Sequence, residues 1–352
     1  MKKTKRRRTP EARGLLSQPA RAAARAVARQ RLERTMEKAA PLAVPASTDP
    51  ASTIGNEEVH DFRVAIRRLR SWIRAASDLL HDDLPRGDRA ALRRLARRAG
   101  AARDAQVEWQ WLTAPSEPFS APAARAAQWL AGQRLAVYAV EREQLQGRVG
   151  DRWPALAAAL AGALASERDV DGPPESLGAH LASVLAHHLA SAHAALERIE
   201  HRTQVAIIHR ARIKVKRLRY IVEAVDAQTP AGERALRLLR VLQDTLGELH
   251  DAHVITQQLE PLLVPRRRGR APAGRPALRD LRALRAAVRR RELAAFRGAL
   301  DLLASRSATA AWRVLDRLPA RLVAVGAPRT RRRSQHRTPP SRLVVPNNRR
   351  TP

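Results

Sequence analysis

The sequence predicts an all-α fold, and three observations carry that prediction. Apolar residues recur at the three- and four-residue spacing of an amphipathic helix in segment after segment. No stretch shows the strict alternation bounded by turn residues that marks a strand. Finally, one helix-like segment occurs twice, with His209 standing 149 positions after His60.

Taken in order, residues 1–14 read as a disordered basic tail and 15–39 as a helix. The Pro/Ser/Thr-containing stretch "PLAVPASTDPASTIGN" then forms a linker. Asn56 is placed to cap the next helix, with Glu57 and Glu58 favourable at its positive end. Further helices are predicted near 86–112, 122–147, 153–168, 177–201, 204–227, 231–262, 276–304 and 307–325. "VPRRRGRAPAGRP" at 264–276 is a basic loop. Residues 326–352, with eight arginines and no acid, read as a second disordered tail. The folded unit is thus 15–325, with a first repeat over about 15–150 and a second over about 151–325.

Composition narrows the function. Hydrophobic residues make up 44% of the 352 and aromatics only 3%, so the core must be mainly aliphatic. A formal charge of +32 favours an anionic partner: nucleic acid, an acidic membrane surface or a polyphosphate. Only six of the 66 basic residues are lysine, and arginine suits bidentate phosphate contacts. The absence of cysteine excludes disulfides, thiolate metal sites and cysteine nucleophiles. No apolar run is long enough to span a bilayer, and no hydrophobic segment follows the basic N-terminus. A soluble, cytoplasmic protein without membrane insertion is the expectation.

The informative stretch is "VHDFRVAIRRLRSWIRAASDLL" at 59–80. On a helix, Arg63, Arg67, Arg70 and Arg74 fall within an arc of about 60° beside His60. Phe62, Ile66, Leu69, Ile73 and Leu80 occupy the opposite side, with Val59 at its edge. One face therefore carries a single sign of charge, although neighbouring arginines repel by a few tenths of a kcal/mol per pair. A solvated helix of ordinary kind would intersperse glutamates. The repeat decides against that reading. "VHDFRVAIRRLR" aligns with "IHRARIKVKRLR", so His60, Arg63, Arg68, Leu69 and Arg70 recur as His209, Arg212, Arg217, Leu218 and Arg219. Arg67 becomes Lys216. Downstream, "LARRAGAARDAQVEWQWL" aligns with "LQDTLGELHDAHVITQQL", which repeats Gly100 and Asp104 as Gly247 and Asp251. A solvated surface has no reason to hold its histidine and basic register twice.

At these residues the chain resembles the CHAD family, the conserved histidine α-helical domain. The likeness rests on "HDFRVAIRRLR" and "HRARIKVKRLRY", each followed by a glycine-to-aspartate element, "AGAARDAQV" and "LGELHDAHV". It covers about residues 15–325. The resemblance implies a bundle of two four-helix halves related by a pseudo-two-fold, with a basic channel or groove that binds inorganic polyphosphate. Carried over by position, the ligand face is His60, Arg63, Arg67, Arg70, Arg74, His209, Arg212, Lys216 and Arg219, flanked by Arg68 and Arg217. Tyr220, Arg103, His250, Asp104 and Asp251 take either binding or structural roles, the aspartates as helix caps or as orienters of the arginines. Association with polyphosphate granules follows from the same likeness. The chain departs from its own repeat at Glu223, which stands where the first copy has Arg74, and at Ala99, opposite Leu246. Some relatives carry an N-terminal triphosphatase domain with an E-x-E-x-K signature. Here the nearest match, "EREQL" at 141–145, ends in Leu145, and the residues before 15 leave no room for such a domain.

Two other functions compete. A sequence-nonspecific nucleic-acid-binding protein fits the charge, but no signature fold for it appears and aromatics to stack bases are scarce. A metal-dependent phosphohydrolase finds "HD" at 60–61 and 250–251, yet the repeat pairs Asp61 with Arg210 and His250 with Arg103. His180, His187, His188 and His193 cluster in sequence without carboxylates at ligand spacing. No metal, no cofactor and no catalytic residue is therefore expected, and Glu223 is expected to pair with Arg219 one helical turn earlier.

Overall fold

In the computed structural model of the chain, the described residues are 11–43, 54, 57–115, 117–165, 175–225, 230–264 and 274–326. Among them the fold is all-α, with a single isolated bridge between Pro19 and Ser176 and no strand. In chain order the helices are α1 (Glu11–Leu16), α2 (Ala20–Ala43), α3 (Glu58–Ala75), α4 (Ser77–Leu80), α5 (Arg86–Thr113) and α6 (Ala121–Asp151). They continue as α7 (Trp153–Ala165), α8 (Leu177–Glu197), α9 (Val205–Val225), α10 (Pro230–Leu263), α11 (Leu278–Ala304) and α12 (Arg306–Gly326). None is long and apolar enough to cross a membrane.

The differences from the sequence reading have local causes. Of the stretch expected as a tail over 1–14, residues 11–14 belong to α1, and Leu16 at its end is buried against the core. The helix expected over 15–39 breaks at Ser17–Pro19. There the backbone bonds across to the segment before α8, Ala20 N–H donating to Glu175 O at 2.8 Å and Leu177 N–H to Gln18 O at 3.0 Å. At its other end α2 runs through Pro41 to Ala43, which buries Leu42. Asn56, the expected cap, lies outside the described residues, as do 1–10, the loop at 265–273 and the tail at 327–352. Glu57 occupies the N-cap position of α3 and makes no side-chain cap bond.

Burial follows the sequence pattern. Val59, Phe62, Ile66, Leu69 and Ile73 are all buried on α3, and Ile208, Ala211, Val215, Leu218 and Val222 on α9. The core is aliphatic with a few aromatic anchors. Phe62 meets Trp153 edge-on at 6.2 Å, and Trp72 donates its indole N–H to Ala24 O at 2.9 Å. Ala23, Ala24 and Ala28 let α2 approach α3 closely. Asp83 pins α2 from outside, accepting from Arg21 and Arg25 at 2.7 Å each. Burial raises its pKa, but the two guanidiniums outweigh that and hold it below the usual range.

The order of packing in the first half recurs in the second. α2 packs on α3, α3 on α5 and α5 on α6; likewise α8 packs on α9, α9 on α10 and α10 on α11. Across the halves α3 meets α9, α2 meets α8, and α6 meets α11. The contact between α3 and α9 brings the two basic helices together.

Candidate functional site

Each basic helix turns its apolar stripe into its own half. The cationic stripes of α3 and α9 are then left against each other at the junction. The centre of the site is formed by Arg67 of α3 with Arg212 and Lys216 of α9. Arg67 and Lys216 are largely withdrawn from water. Burial lowers Arg67 to about 10, so it stays charged at neutral pH. Burial, then Arg67, Arg212 and Arg63, lower Lys216 to about 6, and only the weaker field of Asp104 opposes them. Among the described residues none of these three side chains has a carboxylate partner. The Nε atoms of Arg67 and Arg212 are buried without a hydrogen bond. Gly247 of α10 passes beside Arg212, where an added Cβ would lie 3.9 Å from its Nε.

From this centre a groove of about 240 Å³ opens between α3, α8 and α9. Arg70, Arg74, Arg217 and His188 line it together with Arg67 and Lys216. Burial and then the nearby Arg93, Arg97 and Arg74 lower Arg70, so α5 adds cations to the rim. His188 falls to about 4 through burial, His187, Arg217, Lys214 and Arg74. Arg74 is exposed and has no ion pair among the described residues.

Tyr220 forms a wall of the groove. Its ring lies 5.1 Å from the Arg67 guanidinium and 4.8 Å from that of Arg219, a double cation–π contact. Its hydroxyl is buried without a hydrogen-bond partner. Beyond the ring, Arg219 donates to Glu223 Oε1 at 2.8 Å, the intrahelical pair anticipated from sequence. Glu223 also reaches across to Arg68 of α3 at 3.6 Å. Arg68 and Arg219 do not line the groove.

At the opposite flank stand the histidines and aspartates. His60 is half-buried; burial and then Arg103 lower its pKa, against the pull of Glu57 and Asp61. Arg103 donates to Gln106 at 2.7 Å. His209 stacks at a tilt on His250, ring centres 5.0 Å apart. Burial is the largest cause lowering both, and His250 reaches about 4. Neither aspartate caps a helix, because both lie well inside one, Asp104 in α5 and Asp251 in α10. Asp104 orients Arg63 at 2.7 Å. Burial raises Asp251 to about 6; Arg212 opposes this, and Asp104 and Glu108 add to it.

Sequence reasoning missed His188 of α8 and Arg31 of α2. Arg31 donates to the Arg68 carbonyl at 3.1 Å and lies 5.4 Å over Trp72. The repeat aligned only α3 with α9 and α5 with α10, so it carried no signal for these two. The histidines of α8 do not form one cluster: His193 packs on Trp312 at 4.3 Å, while His180 faces Glu175 at 3.9 Å. Among the described residues, one trio could in principle hold a cation. Glu57, His60 and Asp61 place ligand atoms within 4.8 Å of one another. Lys38 already occupies Asp61 at 2.7 Å, however, and the trio is not repeated in the second copy.

The family model described as CHAD domain matches residues 46–260. Two solved structures are similar. The CHAD domain from the plant Ricinus communis is 21% identical, with a TM-score of 0.58 over 83% of this chain and 94% of that one. PptA from Streptomyces chartreusis is 18% identical, with a TM-score of 0.60 over 82% of this chain and 100% of that one. At these identities the likeness is one of fold. No curated protein matches the sequence.

Proposed function

Since the chain belongs to the CHAD domain family, and since its two histidine-bearing helices line one groove with Arg67, Arg70, Arg74, Lys216 and Arg217, we propose that it binds inorganic polyphosphate there without hydrolysing it. The observation that carries this reading is the central trio. Arg67, Arg212 and Lys216 are brought together from two helices with no carboxylate partner. Holding cations close together away from water is costly, and Lys216, lowered to about 6, is mostly neutral at pH 7 until an anion restores its charge. A polyanion relieves that cost, and polyphosphate supplies about one negative charge per internal phosphate. Arginines rising about 5.4 Å per helical turn can track such a chain. Release of counterions then supplies much of the affinity, as it does for nucleic acids.

Nucleic acid is the competing ligand, and the site offers it little. The ring of Tyr220 is buried and already in contact with two arginines, so it offers little surface on which to stack a base. Hydrolysis would need an activated nucleophile or a metal with ligands at the groove, and its lining offers no carboxylate and a single imidazole, that of His188, among arginines, a lysine and apolar residues with Ser71 and Tyr220.

Binding of defined-length polyphosphate in competition with duplex DNA at one stated salt tests the reading. A variant with Arg67, Arg70, Arg74 and Lys216 changed to Ala should lose most polyphosphate affinity while staying helical. A second variant lacking 1–10 and 328–352 should keep most of it, because the reading assigns binding to charges pre-organised on the two helices. The reverse pattern, or DNA displacing polyphosphate, overturns the proposal.

A further inference from the structure

Glu223 is a carboxylate standing in a surface that otherwise gathers cations. It accepts from Arg219 at 2.8 Å, lies 3.6 Å from Arg68, and its field reaches Arg31 of α2. Only 13% of its side chain is exposed, so water screens these contacts weakly. The three arginines come from three different helices, and one carboxylate occupies the place where an anion would join them. On α9 the lining of the groove includes Tyr220 and Ile221 but not Glu223. Arg67, on the near face of that ring, lines the groove; Arg219, against the same ring, does not.

We propose that Glu223 is a specificity-determining residue. It acts as a resident anion that closes one end of the groove and withholds Arg68 and Arg219 from the ligand. This rests on the polyphosphate reading and adds to it a limit on the length of chain held. The ligand is gripped from the central trio outward past Arg70 to Arg74 and Arg217, and it does not continue past Tyr220. A purely structural Glu223, needed only to hold α3 against α9, makes the opposite forecast for its removal. The helices would loosen and binding would weaken.

The sign of the effect separates the two. Glu223→Gln keeps the shape and removes the charge. Its expected result is tighter binding of long-chain polyphosphate. The dependence of log affinity on log salt should steepen by about one to two units, as one or both freed arginines contact phosphate. Arg219→Ala should then cost more affinity in the Glu223→Gln background than in the original chain. Equal costs, or weaker binding with an unchanged slope, overturn the proposal. A measurement on the unmodified protein covers the case in which Glu223→Gln does not fold. Modification by the arginine reagent phenylglyoxal, followed by peptide mapping, should show Arg74 protected by polyphosphate and Arg68 as reactive as without it. Arg68 is half exposed, so its reactivity can be read. Equal protection of both overturns the proposal. No polyphosphate binding by the unmodified chain would instead remove the reading on which it rests.

Discussion

At one end of the groove stand Arg74 of α3, Arg217 of α9 and His188 of α8. At the other stand Glu223 of α9, Arg68 of α3 and Arg31 of α2. The positions correspond: Arg68 precedes Arg217 by 149 residues, and Arg74 precedes Glu223 by the same interval. The packing partners correspond too, since α2 supports α3 as α8 supports α9. Two side chains differ, Arg74 against Glu223 and His188 of α8 against Arg31 of α2, and only the first reverses a charge. Where the helix carries Arg74, two arginines face the groove beside a histidine that burial keeps neutral. Where it carries Glu223, the equivalent groups are joined into a closed network. On the proposed reading, the sign of one charge decides whether neighbouring arginines are left open to a ligand or held in a helix–helix clamp.

The sharpest way to break the contrast is to give the open end the residue of the closed one. Arg74→Glu should pair with Arg217 and lower polyphosphate affinity about tenfold or more at physiological ionic strength, since one contact is lost and one repulsion gained. Equilibrium binding at two salt concentrations checks this.

A smaller effect comes from protons at the centre between the two ends. In the free protein Lys216 titrates near 6, so at pH 8 it is mostly neutral. A bound polyanion favours the ammonium and raises that pKa, so binding takes up a proton. Asp251, titrating near 6 as well, loses its opposing charge over the same range. Affinity should therefore rise several-fold as pH falls from 8 towards 6 and then level off. Calorimetry in buffers of different ionisation enthalpy would detect the proton.

The same lysine affects stability in the absence of ligand. Its folded pKa lies below its unfolded value, so between about 6 and 10.5 the unfolded chain binds more protons and stability rises with pH. Its destabilising contribution is thus greatest in acid. Lys216→Met should raise the melting temperature of the free protein by a few degrees, with the larger gain at pH 6 than at pH 9. It should also remove much of the pH dependence of binding. The smallest effect is expected at the partition itself. The Tyr220 hydroxyl has no partner, so Tyr220→Phe should change stability by no more than about 0.5 kcal/mol. It should also leave affinity within a factor of about two. Tyr220→Ala, which removes the ring between Arg67 and Arg219, should not be tolerated so well.

Much of the site was legible because helical periodicity fixes which side chains share a face. Phe62, Ile66, Leu69 and Ile73 had to be buried if Arg63, Arg67, Arg70 and Arg74 were to lie together, and they are. The repeat then paired α3 with α9. What periodicity could not supply was the third helix at each end. Arg31 and His188 reach the site only through the way α2 and α8 dock, which depends on small residues such as Ala24 and Ala28. Asp104 and Asp251 already fell inside the helices predicted over 86–112 and 231–262, so a capping role was excluded by the sequence reading itself. Glu223 was visible as an i, i+4 pair, whereas its reach to Arg68 depends on how two segments distant in sequence cross.

The central trio also bears on how the chain reaches this state. Arg67 and Lys216 are 149 residues apart, so they meet only when the two halves close on each other. Each half can form its helices and much of its apolar packing first, using contacts between consecutive helices. The closing step must then drive like charges together out of water, which places an electrostatic barrier late in folding. A multivalent anion lowers that barrier by occupying the junction as it forms. Refolding, followed by the fluorescence of tryptophans such as Trp111, which lies under Arg291 of the second half, should therefore be faster in sulfate than in chloride of equal ionic strength. Helix formation, followed by far-ultraviolet circular dichroism, should be nearly indifferent to the choice of salt. The ligand's chemistry would thus be written into the rate of assembly as well as into the finished groove.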